Sequence, residues 1–200
     1  MALPGLSETT TVSAGFEIER QWRAHASLRL PSAIGAWRLV DDREERLIDH
    51  YFDTADLALH RRRARLRIRK SGSLTYSTLK RRVGSGPGLR RRIEIEGLCA
   101  SDPETSVAFI AARLLTLQPL EEIGRIVTAR ATHIYAQGAR AVEVVRDRVT
   151  YPVGEDQWRV EAEGEADDVS EVAALLEQLP LGLAPVRRGK VQTLLRRCAA

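Results

Sequence analysis

The chain has 200 residues, 44% of them hydrophobic and 29% charged, with 31 lysines and arginines against 27 aspartates and glutamates. That length buries a sizeable core in one globular domain, and no stretch approaches the roughly 20 apolar residues that a membrane-crossing helix needs. Residues 1–15 carry neither a basic start nor an apolar run of signal-peptide type, and Cys99 and Cys198 have no metal-ligand spacing. These features predict a cytoplasmic protein with a disordered leader at 1–15 and a folded domain at 16–200.

Residues 16–30 read as a strand, and Pro31-Ser32 introduces a short helix carrying Ile34, Trp37 and Leu39. A second strand is predicted at 46–53, then a turn or single helical turn at 54–62 around Leu57 and Leu59. Strands at 64–70, 74–83 and 89–97 are separated by Ser71-Gly72-Ser73 and Gly84-Ser85-Gly86-Pro87-Gly88. A helix over 102–117 has Ser101 as its cap, Pro103 in its first turn, and Val107, Ile110, Leu114 and Leu117 on one side. Strands at 125–137, 141–148 and 157–163 follow, with turns at Gly138 and Gly154. A helix then starts near Asp167 and carries Val169, Val172, Leu175, Leu176 and Leu179; a last one spans 190–197. About eight antiparallel strands with a few flanking helices make an α+β chain and fit a closed or nearly closed β-barrel.

Five stretches alternate charged and apolar residues at a period of two: Phe16-Glu17-Ile18-Glu19, Arg65-Leu66-Arg67-Ile68-Arg69, Arg92-Ile93-Glu94-Ile95-Glu96, Val142-Glu143-Val144 and Val160-Glu161-Ala162-Glu163. Successive strand residues point to opposite faces, so each has one apolar and one ionised face. A single such strand is explained by a wet outer face. Paired carboxylates and an unrelieved arginine row on several strands are not. Carboxylates at i and i+2 stand roughly 6–7 Å apart and repel unless a cation lies near them, and Mg²⁺ and Mn²⁺ prefer such oxygen ligands. The basic residues are nearly all arginine, with lysine only at Lys70, Lys80 and Lys190, and arginine's planar fork suits phosphate oxygens. If acidic and basic strands face one interior, that interior is a charged tunnel and the apolar faces pack outward under the helices.

The ordered motifs resemble the CYTH superfamily, the triphosphate tunnel metalloenzymes, which include inorganic triphosphatases, thiamine triphosphatases and class IV adenylyl cyclases. Glu17-Ile18-Glu19-Arg20-Gln21 resembles the opening Glu-x-Glu-x-Lys signature, and Tyr51-Phe52-Asp53-Thr54 the Tyr-Tyr-Asp-Thr segment. Leu66-Arg67-Ile68-Arg69, Thr78-Leu79-Lys80 and Arg92-Ile93-Glu94-Ile95-Glu96 match the Leu-Arg-x-Arg, Thr-x-Lys and Arg-x-Glu-x-Glu strands. Arg130 sits at a tunnel-arginine position, Glu143 with Asp147 resembles Glu-x-x-x-Asp, Glu161-Ala162-Glu163 resembles the second acidic pair, and Gly189-Lys190 falls where Ser-Lys is usual. The resemblance implies an eight-stranded triphosphate tunnel binding Mg²⁺ or Mn²⁺ through Glu17, Glu19, Asp147, Glu161 and Glu163. By the same resemblance Arg67, Arg69, Lys80, Arg92, Arg130 and Lys190 grip the phosphates, with Glu94, Glu96 and Glu143 behind the ligands, and Glu17, Glu19, Gln21 and Arg23 form the catalytic set. Gln21 replaces the signature lysine, and Arg23, of the same strand parity, is the residue expected to restore a positive charge.

The expected activity is hydrolysis of inorganic triphosphate, because no base- or thiazole-recognition element is visible in the chain. The alternatives are hydrolysis of an organic triphosphate such as thiamine triphosphate, or a non-catalytic phosphate or polyphosphate sensor, which Gln21 favours. A nucleic-acid module built on the arginines near 61–65, 81–82 and 90–92 is disfavoured, since aromatics are only 5% and Glu94 and Glu96 share the face of Arg92. His25, His50, His60 and His133 lie on separate elements without ligand spacing, and the glycine-rich segment at 84–88 lacks the Gly-Lys-Ser/Thr of a phosphate loop.

Overall fold

Strand alternation runs farther than the charged stretches suggest. The computed structural model describes residues 12–85, 89–99 and 102–199. Its strands in chain order are β1 (Val12–Ala24), β2 (Ala33–Ile34), β3 (Trp37–Asp53), β4 (Ala64–Ser71), β5 (Leu74–Ser85), β6 (Arg90–Leu98), β7 (Glu121–Gln137), β8 (Arg140–Thr150), β9 (Gln157–Gly164) and β10 (Ala184–Pro185). The helices are α1 (Ala58–Arg61), α2 (Val107–Thr116), α3 (Ala166–Gln178) and α4 (Lys190–Cys198). Around the wall the order is β1, β6, β5, β4, β3, β7, β8, β9, and β9 pairs back onto β1, so eight antiparallel strands close a barrel without a free edge. β2 folds back on the start of β3, and β10 pairs with Trp22 and Arg23 at the end of β1. Between β7 and β8 the two-residue turn places Gly138 at φ 63°, a left-handed position that glycine takes without a Cβ clash.

The barrel is apolar outside and charged inside. On β4 and β5, Leu66, Ile68 and Leu79 pack outward against Phe109 and Ala112 of α2, and the Phe52 ring meets Phe109 edge-on at 5.0 Å. On the far side, Trp22, Val142, Val144, Val160 and Ala162 pack under Val169, Val172 and Leu176 of α3. The last helix behaves differently. Val191 and Leu194 of α4 pack on Tyr51, Ile126 and Val149, which share strand parity with the inward-facing Asp49, Arg130 and Asp147. α4 therefore stoppers one end of the barrel instead of covering its wall.

Several boundaries differ from expectation. β1 begins at Val12 and ends at Ala24, while residues 1–11, most of the expected leader, lie outside the described residues. No helix follows Pro31; Gly35, at φ 59°, turns the chain sharply from β2 into β3, and Ile34 and Trp37 become buried strand residues under α3. α2 starts at Val107 with Ser106 as its cap, its Oγ accepting from the Phe109 N–H at 3.4 Å. Ser101, the expected cap, is outside the described residues, as are residues 86–88 of the glycine-rich loop. The apolar side formed by Val107, Ile110, Leu114 and Leu117 faces outward, Leu117 being 85% exposed. Ala108 and Ala112 pack inward instead, since small residues bring the helix close to the sheet and leave room for Phe109. Among the described residues no helix is long and apolar enough to cross a membrane.

Candidate functional site

The interior follows from strand parity and register. On β1, Glu17, Glu19 and Gln21 point inward, with Glu19 opposite Glu163 and Gln21 opposite Glu161 of β9. On the other side of β1, Glu17 lies opposite Arg92 of β6. Arg65, Arg67 and Arg69 project from β4, Lys80 from β5 and Arg130 from β7, and Lys190 enters from the first turn of α4. All of these line one narrow cavity of about 70 Å³, in which seven cationic side chains face the four carboxylates of Glu17, Glu19, Glu161 and Glu163. A wider mouth of about 350 Å³ opens beyond it, bordered by Glu94, Glu96 and Glu143.

Ion pairing divides these groups into clamps and free hands. Arg69 donates to both oxygens of buried Asp49 at 2.7 and 2.8 Å. Arg130 grips Asp147 in the same fork geometry at 2.8 Å to each oxygen, and Lys190 donates to Asp147 at 2.6 Å. Lys80 donates to Glu17 and lies 3.1 Å from Glu94. Arg92 lies 3.3 Å from Glu17 and 2.6 Å from Glu19. Arg67 is held more loosely: its Nε donates to Thr78 Oγ1 at 3.3 Å, and its terminal nitrogens lie 3.8 Å from Asp49 and from Glu96. Arg65 has no ion pair among the described residues. Burial, reinforced by Arg92 and Arg90, pushes its pKa down to about 10, the signature of a cation lacking its counter-charge.

The carboxylates divide as well. Burial opposes ionisation of Glu17, but Lys80 and Arg92 outweigh it and hold its pKa at about 2. Asp49 and Asp147 are likewise held below the usual carboxylate range, by Arg67 with Arg69 and by Lys190 with Arg130, against burial. Glu163 is pushed the other way, to about 8, by burial and by Glu17 and Glu19 nearby. Glu19 is also raised, by burial first and then by Glu161 and Glu17, although Arg92 acts against the shift. Its Oε1, 2.6 Å from Arg92 Nη2, has no aligned hydrogen-bond donor.

Glu19 and Glu163, facing each other across adjacent strands, thus form an under-neutralised carboxylate pair. Oxygen-only ligands short of positive charge fit Mg²⁺ or Mn²⁺. Among the described residues no three Asp, Glu, His or Cys side chains form a ready-made cage, so water and substrate oxygens would have to complete the coordination shell.

In the metal-free protein Glu163 titrates near 8 against its ordinary 4.5, so the folded chain retains a proton that the unfolded chain releases. Stability from that proton is complete below about pH 4.5 and is lost as pH rises through about 8. Glu17 contributes in the opposite sense, above about pH 4.5, with its share lost as pH falls through about 2. The melting temperature measured in chelator is expected to fall between about pH 5 and pH 8, and Glu163→Gln to flatten that fall. A wild-type melting temperature that rises over this range would contradict the assignment.

Arg23, expected beside the catalytic groups, lines a separate pocket beyond the tunnel. Gln21 instead accepts a hydrogen bond from Arg90, whose other nitrogen donates to the Val186 carbonyl at 3.1 Å. Glu94, Glu96 and Glu143 sit at the mouth, where Thr78 Oγ1 donates to Glu96 at 2.7 Å. Asp53 and Thr54 belong to the scaffold. Buried Asp53 accepts from the N–H groups of Thr54, Leu59 and His60, each at 2.8 Å, which fixes the turn into α1. Asp49, Arg65 and Arg90 were not among the expected site residues. Arg65 and Arg90 share parity with Arg67 and Arg92, a signal available in the sequence; Asp49 sits in mixed surroundings that give none.

A family model for the CYTH domain matches residues 15–193. Among solved structures, an adenylyl cyclase-like protein from Hippeastrum, described as having a dominant triphosphatase activity, superposes with a TM-score of 0.68 at 19% identity, over 90% of this chain and 95% of its own. A protein from Bacillus halodurans, assigned as an adenylate cyclase, gives 0.68 at 20% identity over 90% and 97%. A Pyrococcus horikoshii protein gives 0.55 at 21% over 90% and 98%. At these identities the likeness establishes the fold. A comparison with curated protein sequences found no match.

Proposed function

Since the chain belongs to the CYTH domain family, we propose that it binds a triphosphate inside the barrel together with Mg²⁺ or Mn²⁺ and hydrolyses it, with inorganic triphosphate as the substrate. The observation that carries this reading is the excess of cationic over acidic side chains around a single enclosed cavity. Such a cavity favours a compact polyanion. Among the described residues Tyr51 is the one aromatic lining it, and it is packed against α4, which leaves no platform for a base.

Each group has a separable task. Arg65 and loosely held Arg67 are free to turn onto phosphate oxygens, whereas Asp49 and Asp147 hold Arg69 and Arg130 rigidly in position. Glu19 and Glu163 would hold the metal, with Glu17 and Glu161 beside them. A divalent ion bound there supplies Lewis-acid neutralisation of charge on the phosphoryl group. Arg92 and Lys80 flank Glu17 and so remain close to the site of charge development. The Gln21 amide, in contact with Arg90, brings a guanidinium to the position where the family signature has lysine.

A phosphate-release screen over tripolyphosphate, ATP and thiamine triphosphate, with Mg²⁺, Mn²⁺ or chelator, tests the proposal. Release is expected to be fastest from tripolyphosphate and to require metal. Tight binding without turnover would support the sensor reading that Gln21 favours, and absence of both would remove the two together. In calorimetry, Arg67→Ala should weaken tripolyphosphate binding at least roughly tenfold, the loss expected for a hydrogen bond to a charged group. Arg81→Ala, on the outer surface, should leave it nearly unchanged. Equal losses would point to a diffuse basic surface.

A further inference from the structure

Behind α4, at the stoppered end of the barrel, lies a second pocket of about 700 Å³ that shares no lining residue with the tunnel. Arg23 and Arg159 enter it from β1 and β9, Arg187 and Arg188 from the segment after β10, and Arg196 and Arg197 from α4. Among the described residues no carboxylate lines it and none of these six arginines makes an ion pair, while Arg197 donates to the Val153 and Glu155 carbonyls at 2.9 and 2.7 Å. Exposed arginines such as Arg188 and Arg196 would, taken alone, need no explanation beyond solvation. Arg159 does. It is only 2% exposed, and its Nη2 donates to Gln157 Oε1 at 3.0 Å, Tyr151 Oη at 3.2 Å and Thr193 Oγ1 at 3.4 Å. Its Nε and Nη1 have no partner among the described residues. Glu161 in the tunnel feels its charge but makes no contact ion pair with it, and a buried guanidinium with unused donors is costly unless other oxygens reach it.

We propose that this pocket is a second anion site, separate from the tunnel, which takes a compact oligophosphate with Arg159 at its floor. Arginine forks match phosphate oxygens in pairs, and the volume is that of a small-molecule site. Among the described residues no aromatic lines it, so they offer nothing on which nucleic-acid bases could stack. The phosphates alone are recognised, and a nucleotide gains nothing over a bare phosphate chain.

Calorimetry with tripolyphosphate in chelator, where hydrolysis is suppressed, separates the two sites. The wild type is expected to bind two equivalents. Arg67→Ala weakens one site at least tenfold and keeps the other; Arg159→Gln and the exposed double variant R188E/R196E each weaken the site that Arg67→Ala spares, again at least tenfold. The double variant R81E/R91E, on exposed positions away from the pocket, carries the same change in net charge and should retain both sites. ATP should bind the site behind α4 no more tightly than tripolyphosphate. If the tunnel does not bind at all, a single equivalent sensitive to R188E/R196E remains, so failure of the tunnel reading leaves this one testable. The proposal is overturned if R188E/R196E binds like the wild type or no worse than R81E/R91E. It is equally overturned if Arg67→Ala alone abolishes all binding, or if an unphosphorylated RNA oligonucleotide binds the Arg67→Ala protein more tightly than tripolyphosphate does.

Discussion

Replacing Glu19 and Glu163 together by glutamine should lower Mg²⁺-dependent hydrolysis of tripolyphosphate by about 100- to 1,000-fold, the scale of losing electrostatic stabilisation at a developing charge. The same double variant should bind tripolyphosphate in chelator at least as tightly as the wild type. Without metal Glu163 already carries a proton near neutral pH, so the two glutamines add no negative charge to a tunnel rich in arginine, its attraction for a polyanion is undiminished, and only the proposed cation site is lost. Steady-state kinetics with calorimetry read the two effects separately. Turnover within threefold of wild type would show that this pair is not where the cation acts.

The largest effect on stability is expected at Asp53. Its buried carboxylate satisfies three backbone N–H groups at the entry to α1, and Leu59, beside one of them, is fully buried against α2. Asp53→Ala leaves those donors without an acceptor and should cost about 3–5 kcal/mol. In urea denaturation the midpoint should drop with little change in slope. Asp53→Asn keeps the oxygen that serves Thr54 and Leu59 but turns an amide donor toward the His60 N–H, so it should recover only part of the loss. A change below about 1 kcal/mol for Asp53→Ala would mean that water replaces the carboxylate.

The barrel was legible because its charged faces alternate with apolar ones on β1, β4, β6 and β9, and a shift of one residue would bury the arginines of β4 under α2. Those same strands account for the convergence of Glu17, Glu19, Glu161 and Glu163 with Arg67, Arg69 and Arg92 on one cavity. What escaped the sequence depended on partners distant in the chain. Asp49 becomes meaningful only through Arg69, its cross-strand neighbour, and nothing in Leu47-Ile48-Asp49-His50 marks which side is wet. Arg23 was expected in the tunnel because its parity is correct. Parity fixes the face of a strand but not the height along the barrel, and at the height of Arg23 the position faces the pocket behind α4. The outer stripe of α2 misled for a related reason: periodicity finds an apolar side of a helix, and Val107, Ile110, Leu114 and Leu117 form one, but close packing selected the alanine side.

Having its apolar layers outside and its ionic groups inside separates the part of the chain that makes it fold from the part that meets a ligand. In most enclosed sites a substitution in the lining disturbs the core, because lining and core are the same residues. Here Trp22, Leu66 and Val160 hold the wall from without, so a lining position outside the buried ion-pair clamps can be exchanged while the wall stands. Gln21 in the place of a lysine is such an exchange: its backbone keeps the pairing of β1 with β9, and its side chain takes up Arg90. A single scaffold can in this way be refitted for a different anion, or for holding one instead of cleaving it, without first having to be stabilised afresh.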